Sequence, residues 1–366
     1  MPRCQNECAR WTHLNAATPH RCRGMTRVKI GDSMTVASNF QLSLLDLAIT
    51  ERAASTRDAL VGCVAFAQRA EALGYRRVWY AEHHNMAVIA SSATSVLIAH
   101  VAAHTKSIRL GSGGIMLPNH SPLVIAEQFG TLASLHPGRI DLGLGRAPGT
   151  DQNTMRALRR DPLAAERFPQ DVLELQGYLS DTTLIQGVEA IPGKGTHVPL
   201  YILGSSLFGA QLAALLGLPF GFASHFAPHG LEQAVAMYRS EFRPSSQLAE
   251  PYVIAGVNVI AADSDAEAQD HLAVVRRARV ALFIGRDQHL SDEQADEILA
   301  SPQGQQIAAM MRYTAVGTGG TVKEYLDGFA EHAGADELIV AHAARTMDAR
   351  MRSLDLVADA CGLVPA

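Results

Sequence analysis

The feature that most constrains the fold is an alternation of short apolar runs with helical stretches, repeated eight times after residue 42. The runs are Leu42 to Ala48, Arg77 to His83, Ile108 to Gly114, Arg139 to Gly145, Leu200 to Leu203, Phe220 to Ser224, Tyr252 to Ala261 and Glu337 to Ala341. Each is apolar nearly throughout, as a strand covered on both faces has to be. The intervening stretches carry helical marks. Arg57 to Leu73 sets Leu60, Cys63, Val64, Ala67 and Ala70 on one stripe, and Gly74 stops it. Ala93 to His104 follows, then Pro122 to Leu135 with its proline in the first turn. Ser206 to Leu216, His229 to Arg243, Val322 to His332 and Asp348 to Cys361 complete the set.

Strands alternating with helices make a parallel sheet. Eight repeats suggest a closed barrel, although an open doubly wound sheet has the same local pattern. The dinucleotide fingerprint is broken: Gly143 and Gly145 begin it, but Pro148 stands where its third glycine belongs. The expectation is an α/β fold, a (β/α)8 TIM barrel with insertions at its C-terminal face, forming one domain over residues 34 to 366. The rhythm loosens twice. Helical segments Gln152 to Arg159 and Glu166 to Ser180 precede an irregular stretch, Asp181 to Val198, and a helical region after Ala261 runs to about Met311. Asp181 to Val198 and Ile284 to Gly320 are the expected lid and pocket loops.

Composition narrows the partners. Of 366 residues 48% are hydrophobic and 18% charged, with a formal net charge of −5 and no basic stripe. Nucleic acid is therefore not an expected partner. No apolar run reaches the roughly 18 residues of a spanning helix, so no membrane is expected either. Residues 1 to 33 are polar, basic and aperiodic, without the apolar stretch of a secretory signal. They hold Cys4, Cys8 and Cys22 near His13 and His20, in no established zinc spacing. They read as a disordered leader, or as sequence upstream of a true start at Met25 or Met34. Cys63 and Cys361 lie on helical patterns and read as small buried hydrophobes. With no disulfide framework, a reducing cytoplasm is the default.

In such barrels the reacting groups follow the C-terminal ends of the strands. The second strand is followed by Glu82-His83-His84-Asn85, and the third by Met116-Leu117-Pro118-Asn119-His120. The fourth is followed by Arg146, the fifth by Gly204-Ser205-Ser206 and the sixth by His225. A histidine at a barrel mouth can move a proton near neutral pH, although a hydrogen-bonded structural pair fits His83 and His84 equally well. Metal ligation by Glu82 with His120 or His225 is a weaker reading, since no second histidine stands three or four residues away. At Gly204-Ser205-Ser206 a strand passes directly into a helix, whose free N–H groups and partial positive charge suit a phosphate. An ordinary serine N-cap has the same pattern. Arg146 suits the same phosphate, or a surface salt bridge. Ser91, Ser92 and Thr94 either cap the next helix or let a flat ring approach the backbone.

Together these segments resemble the bacterial luciferase family, the luciferase-like monooxygenases, and within it the stand-alone bacterial members. The resemblance runs from about Leu42 to Ala360. It rests on WYAEHHN (79–85), IASSATS (89–95), RLGSGGIMLPNHSP (109–122), PGRIDLGLGRAPG (137–149), PLYILGSS (199–206) and GADELIVAH (334–342) in that order. It implies a (β/α)8 barrel, FMN chemistry and often a dimer. His83 falls on the family's catalytic histidine, with His84 beside it. Arg146 and Ser205 fall on its phosphate ligands. Ser91 and Ser92 fall in a small-residue segment under the isoalloxazine, where the family can hold a non-proline cis peptide. Met116, Gly204 and Ser206 complete the expected flavin-contacting set. One departure matters: the light-emitting subunit has Glu where Gly204 stands, which puts a light-emitting role in doubt.

The function so implied is a monooxygenase that uses reduced FMN and oxygen on a small molecule. The FMN would come from a separate flavin reductase, and the protein would be a homodimer. A deazaflavin-dependent oxidoreductase of the same superfamily and a non-catalytic flavin-binding member are the alternatives. A phosphate-binding barrel isomerase or aldolase is a third, weakened by the lack of a strand-end lysine.

Overall fold

The structure, a computed structural model, describes residues 40–50, 55–147, 150–284 and 290–365. The expected leader over residues 1 to 33 lies outside them. The strands are β1 (Gln41–Asp46), β2 (Arg77–Tyr80), β3 (Arg109–Met116), β4 (Ile140–Gly145), β5 (Leu200–Gly204), β6 (Phe220–Phe222), β7 (Val253–Ala261), β8 (Thr314–Gly317) and β9 (Glu337–His342). All pairings between these strands are parallel. β1 to β7 neighbour one another in chain order, and β9 bridges β7 to β1. The sheet therefore closes on itself as an eight-stranded (β/α)8 barrel, as the eight apolar runs predict.

The ninth strand is an addition. β9 takes Ile254–Val259 of β7, while β8 pairs only with Asn258–Ala261 at that strand's C-terminal end. β8 thus sits on the rim, outside the closed wall. It belongs to an excursion that leaves β7 and forms the helices Asp265–Phe283, Asp292–Ala300 and Pro302–Ala309 before the helix Gly319–Ala333 leads to β9.

Strand residues alternate between two cores. Val78 and Tyr80 join the large outer cluster that the helices cover. Trp79 and Ala81 join an inner cluster with Leu45, Tyr201, Ile254 and Ile339. On the outer side, helix Thr56–Leu73 buries Ala59, Cys63, Phe66, Ala67 and Ala70. A Ser55–Asp58 capping box starts that helix and Gly74, at φ 89°, ends it. Cys63 and Cys361 are both free and buried, as expected from their helical patterns.

The N-terminal end of the barrel is closed by a buried ionic layer. Arg77 donates to Asp141 (2.7 Å), to the Tyr201 hydroxyl (2.8 Å) and to Glu337 (3.1 Å). Trp79 Nε1 donates to Asp141 and Tyr252 donates to Glu337. Conserving shape at this end serves stability, and the opposite end is left for chemistry.

Candidate functional site

β2 ends at Tyr80, so Glu82, His83 and His84 lie in the loop that leaves its C-terminal end. Glu82 is almost wholly buried and is the hub of this loop. Its Oε1 lies 2.8 Å from His84 Nε2 and 2.8 Å from His120 Nε2, and its Oε2 accepts from the Met116 amide at 3.0 Å. Burial alone would raise the carboxyl, but the two imidazoles and the amide outweigh it and hold Glu82 down at about 2. The bond to Glu82 raises the His84 imidazole above its usual 6.5. Sequence reasoning named Glu82 and His120 only as remote metal candidates. They are instead the hydrogen-bonded brace between the β2 and β3 exits. Among the described residues no group of three or more His, Cys, Asp and Glu is arranged to hold a metal ion.

His83 is not part of that brace. Its backbone N–H donates to Ser91 O, and its ring Nδ1 is buried without a hydrogen-bond partner. Burial lowers its pKa below 6.5, although the Glu82 carboxylate pulls the other way. His83 is therefore neutral at pH 7 with one ring nitrogen free. His225, after β6, is in the same condition: its Nδ1 is buried and unpartnered. Burial pushes it down to about 3, with the charges of Arg279 and His83 adding to the effect. Because β6 is the fourth neighbour of β2 in either direction, the two imidazoles approach from opposite walls. Sequence reading placed His225 at a strand exit and named it only as a possible metal ligand with Glu82.

The β4 and β5 exits form the second half of the mouth. The register sets Gly145 beside Leu203, so Arg146 and Gly204-Ser205 leave the sheet side by side. The Arg146 guanidinium lies 4.1 Å over the Phe208 ring, in the first turn of helix Leu207–Leu216. Arg146 makes no ion pair among the described residues. Ser206 occupies the N-cap position of that helix but makes no side-chain cap bond, and both Ser205 and Ser206 are exposed. The ordinary N-cap reading is thus corrected: among the described residues the Ser206 hydroxyl caps no helix amide, and it stands at a helix N-terminus whose first turn carries the ring under Arg146. The Met116 sulfur lies along Gly145, where a Cβ would come within 3.0 Å of it.

Two expectations need correction. The non-proline cis peptide joins Gly113 and Gly114 in β3, not residues of the Ser91–Ser92 segment. Neighbouring residues pack directly on the backbone of these glycines. A Cβ at Gly113 would stand 2.8 Å from Leu45, and one at Gly114 2.7 Å from Gly143 O. Ser91 and Thr94 do not cap the following helix. Ser91 is fully buried and donates to Leu47 O, Thr94 donates to Ala81 O, and the cap position is Ala93. Ser92 is exposed.

The buried neutral histidines carry a pH prediction. His342, the last residue of β9, bonds Ser353 through Nδ1 at 2.8 Å and is pushed down to about 3 by burial, with Arg350 adding to the effect. Folded values near 3 lie below the ordinary 6.5, so the stabilisation is complete above pH 6.5 and is lost as pH falls toward 3. The loss is about 1.4 kcal/mol per pH unit for each histidine. Glu82 adds its own loss only below its ordinary 4.5, and the raised His84 contributes a constant amount below 6.5. Denaturant unfolding at pH 6 and pH 5 should therefore show a pH slope shallower by about 1.4 kcal/mol per unit in His342→Asn than in the unmodified protein. An unchanged slope would mean that His342 is not held neutral.

A family model described as luciferase-like monooxygenase matches residues 44–337. A protein of Escherichia coli K12 named luciferase-like monooxygenase is 47% identical over 320 residues, covering 87% of this chain and 96% of that one. The N-acetyl-S-alkylcysteine monooxygenase of Bacillus subtilis is 36% identical, covering 71% and 79%. The crystal structure of apo-MsnO8 superposes with a TM-score of 0.81 at 33% identity, covering 89% of this chain and all of that one. More distant structures share the fold. They include a 3,6-diketocamphane monooxygenase component in complex with FMN (17%, TM-score 0.63) and an F420-dependent secondary alcohol dehydrogenase (15%, TM-score 0.62).

Proposed function

Because the chain belongs to the luciferase-like monooxygenase family, we propose that it oxygenates a small organic acceptor using reduced FMN, with His83 as its proton-transfer group. The observation that carries the reading is the cradle at the β4 and β5 exits. Arg146, Ser205 and Ser206 offer charge and donors with no ion pair or side-chain hydrogen bond among the described residues, at the N-terminus of helix Leu207–Leu216. A cation, two hydroxyls and a helix N-terminus are the fit expected of the FMN phosphate. Met116, Gly204, Ser91, Ser92 and His84 are taken as flavin contacts on the family resemblance.

When bound, reduced FMN would supply the two electrons by which one oxygen atom of O2 enters the acceptor and the other leaves as water. The chain's own residues do the rest. Arg146, Ser205 and Ser206 fix the phosphate and hence the register of the ring. The apolar inner cluster below the mouth keeps water out. His83, neutral and with Nδ1 free, accepts or returns a proton at that atom. The Glu82 brace holds the loop that carries His83. The name of the B. subtilis relative points to thioethers as one acceptor class. We further read the protein as a cytoplasmic homodimer served by a separate flavin reductase.

Anaerobic titration with reduced FMN tests this. Saturable binding is expected, weakened about 10²- to 10⁴-fold in Arg146→Ala/Ser205→Ala, since each charge-assisted bond contributes about 1.5–3 kcal/mol. Turnover with NADH should begin only when a flavin reductase is added, and the protein should sediment as a dimer. Tight binding of a reduced deazaflavin with none of FMN would replace this reading with a hydride-transfer one, as in the F420-dependent neighbour.

A further inference from the structure

His83 differs in one respect from a histidine whose ring is oriented by a carboxylate behind it: its Nδ1 is buried with no hydrogen-bond partner. The adjacent carboxylate, Glu82, is taken up by His84, His120 and the Met116 amide. The place of the His83 ring is therefore fixed through its backbone. That backbone is held by the segment ahead of helix Thr94–Ala102. The His83 N–H donates to Ser91 O at 3.1 Å, and two residues earlier Ala81 O accepts from Thr94 Oγ1 at 3.2 Å.

Residues 88 to 91 are held in turn by the chain that leaves β1. The Thr50 N–H donates to Val88 O and the Ala90 N–H to Ala48 O, both at 3.0 Å, and Ile49 bridges Ile89 in an antiparallel pair. The hydroxyl of Ser91, a fully buried residue, donates to Leu47 O at 3.0 Å. These bonds need a sharp turn at Ala48, whose φ is 48°, a left-handed conformation that is costly for a residue with a Cβ. Asp46 supports the turn. Its Oδ1 accepts from the Ala48 amide at 3.0 Å and from Arg350 Nη2 at 2.7 Å. Asp46 is wholly buried and Arg350 is 4% exposed. A buried ion pair is a weak source of net stability. Here it fixes the one turn that sets residues 88 to 91 against the end of β1.

We propose that Ser91 and Asp46 are positioning residues for His83: they tether its backbone to the end of β1 and so hold in place an imidazole that has no bond at Nδ1. This rests on the reading of His83 as the proton-transfer group. A reacting group misplaced by about 1 Å loses much of its effect, so the tether acts on turnover and not on cofactor affinity. It also separates the Ser91 side chain from the cofactor. The hydroxyl is committed to Leu47 O, and any flavin contact of this residue is through its backbone.

The test reads His83 directly, by nuclear magnetic resonance of full-length protein labelled with ¹³C at histidine Cε1. The His83 signal is identified by its loss in His83→Asn. Ser91→Ala should shift that signal at constant pH and lower kcat about ten- to a hundredfold, with reduced-FMN affinity unchanged. Asp46→Ala/Arg350→Met, which removes both charges so that neither is stranded, should do the same. Tyr75→Phe is the control. It too deletes one buried hydroxyl-to-carbonyl bond, to Leu354 O at 2.9 Å, but ahead of β2 at the end of the barrel away from the mouth. It should leave the His83 signal and turnover as they are. An unmoved His83 signal or full turnover in Ser91→Ala overturns the proposal, and so does an unmoved signal in the folded double variant. An equal shift in Tyr75→Phe overturns it as well, by making the effect one of general stability. About a tenfold loss of reduced-FMN affinity in Ser91→Ala would put the hydroxyl on the cofactor and overturn it too. Ser91→Ala carries the test by itself if the double variant fails to fold. A displaced His83 signal in a protein that oxygenates nothing would sink the proposed function and leave the tether standing.

Discussion

His83→Ala is expected to lower product formation by about 10²- to 10⁴-fold while changing reduced-FMN affinity only a few-fold. The argument is electrostatic and geometric together. The phosphate cradle is at the β4 and β5 exits, and His83 is at the β2 exit, so the substitution leaves the principal binding contacts in place. What it removes is a neutral imidazole with a free Nδ1 in a buried setting. His83→Asn keeps a hydrogen-bonding side chain that does not titrate, and it should fall to nearly the level of Ala. The pH profile adds a reading that a structural role would not affect. The pKa of His83 lies below 6.5, so a base at this position predicts an acid limb below pH 6.5. That limb should be lost from the residual activity of both variants. Full turnover in His83→Ala would take the residue out of the mechanism.

How much of this was legible in the sequence depends on the kind of residue. The eight barrel strands were, because a strand covered on both faces has to be an apolar run. β8 was not: its four residues TAVG alternate between half-buried and buried, and pair along one edge with the tip of β7. His83 was legible as a polar residue following a strand, and it keeps the parity of Arg77, Trp79 and Ala81, which face inward. The helix-cap alternative for Ser91 fails, because its hydroxyl ties the β2 exit to the end of β1. A small polar residue near a site has the same sequence signature whether it serves the fold or the ligand. Gly113-Gly114 stands within a motif, but that Leu45 and Trp79 pack on Gly113 is visible only in the fold.

The largest loss of stability should come from the other end of the barrel. Arg77→Met is expected to cost about 3–5 kcal/mol, a large part of the roughly 5–15 kcal/mol that holds a typical domain folded. Arg77 is 1% exposed and stands between two carboxylates that are wholly buried, Asp141 and Glu337. Methionine fills much of the same volume, so lost packing is a small part of the effect. The cost is that of two buried anions losing their shared cation. Arg109 still reaches Asp141, whereas among the described residues Glu337 retains only the Tyr252 hydroxyl and Arg76 at 3.8 Å. Glu337 is therefore the more exposed to the loss. Arg77→Met/Glu337→Gln, which removes the stranded charge together with its partner, should recover part of the stability lost by Arg77→Met alone. Denaturant unfolding of the single and double variants measures both quantities, and a double variant no more stable than Arg77→Met would mean that packing decides the result. The fraction of Arg77→Met that folds should bind reduced FMN as the unmodified protein does, because the ionic layer and the mouth lie at opposite ends of one barrel.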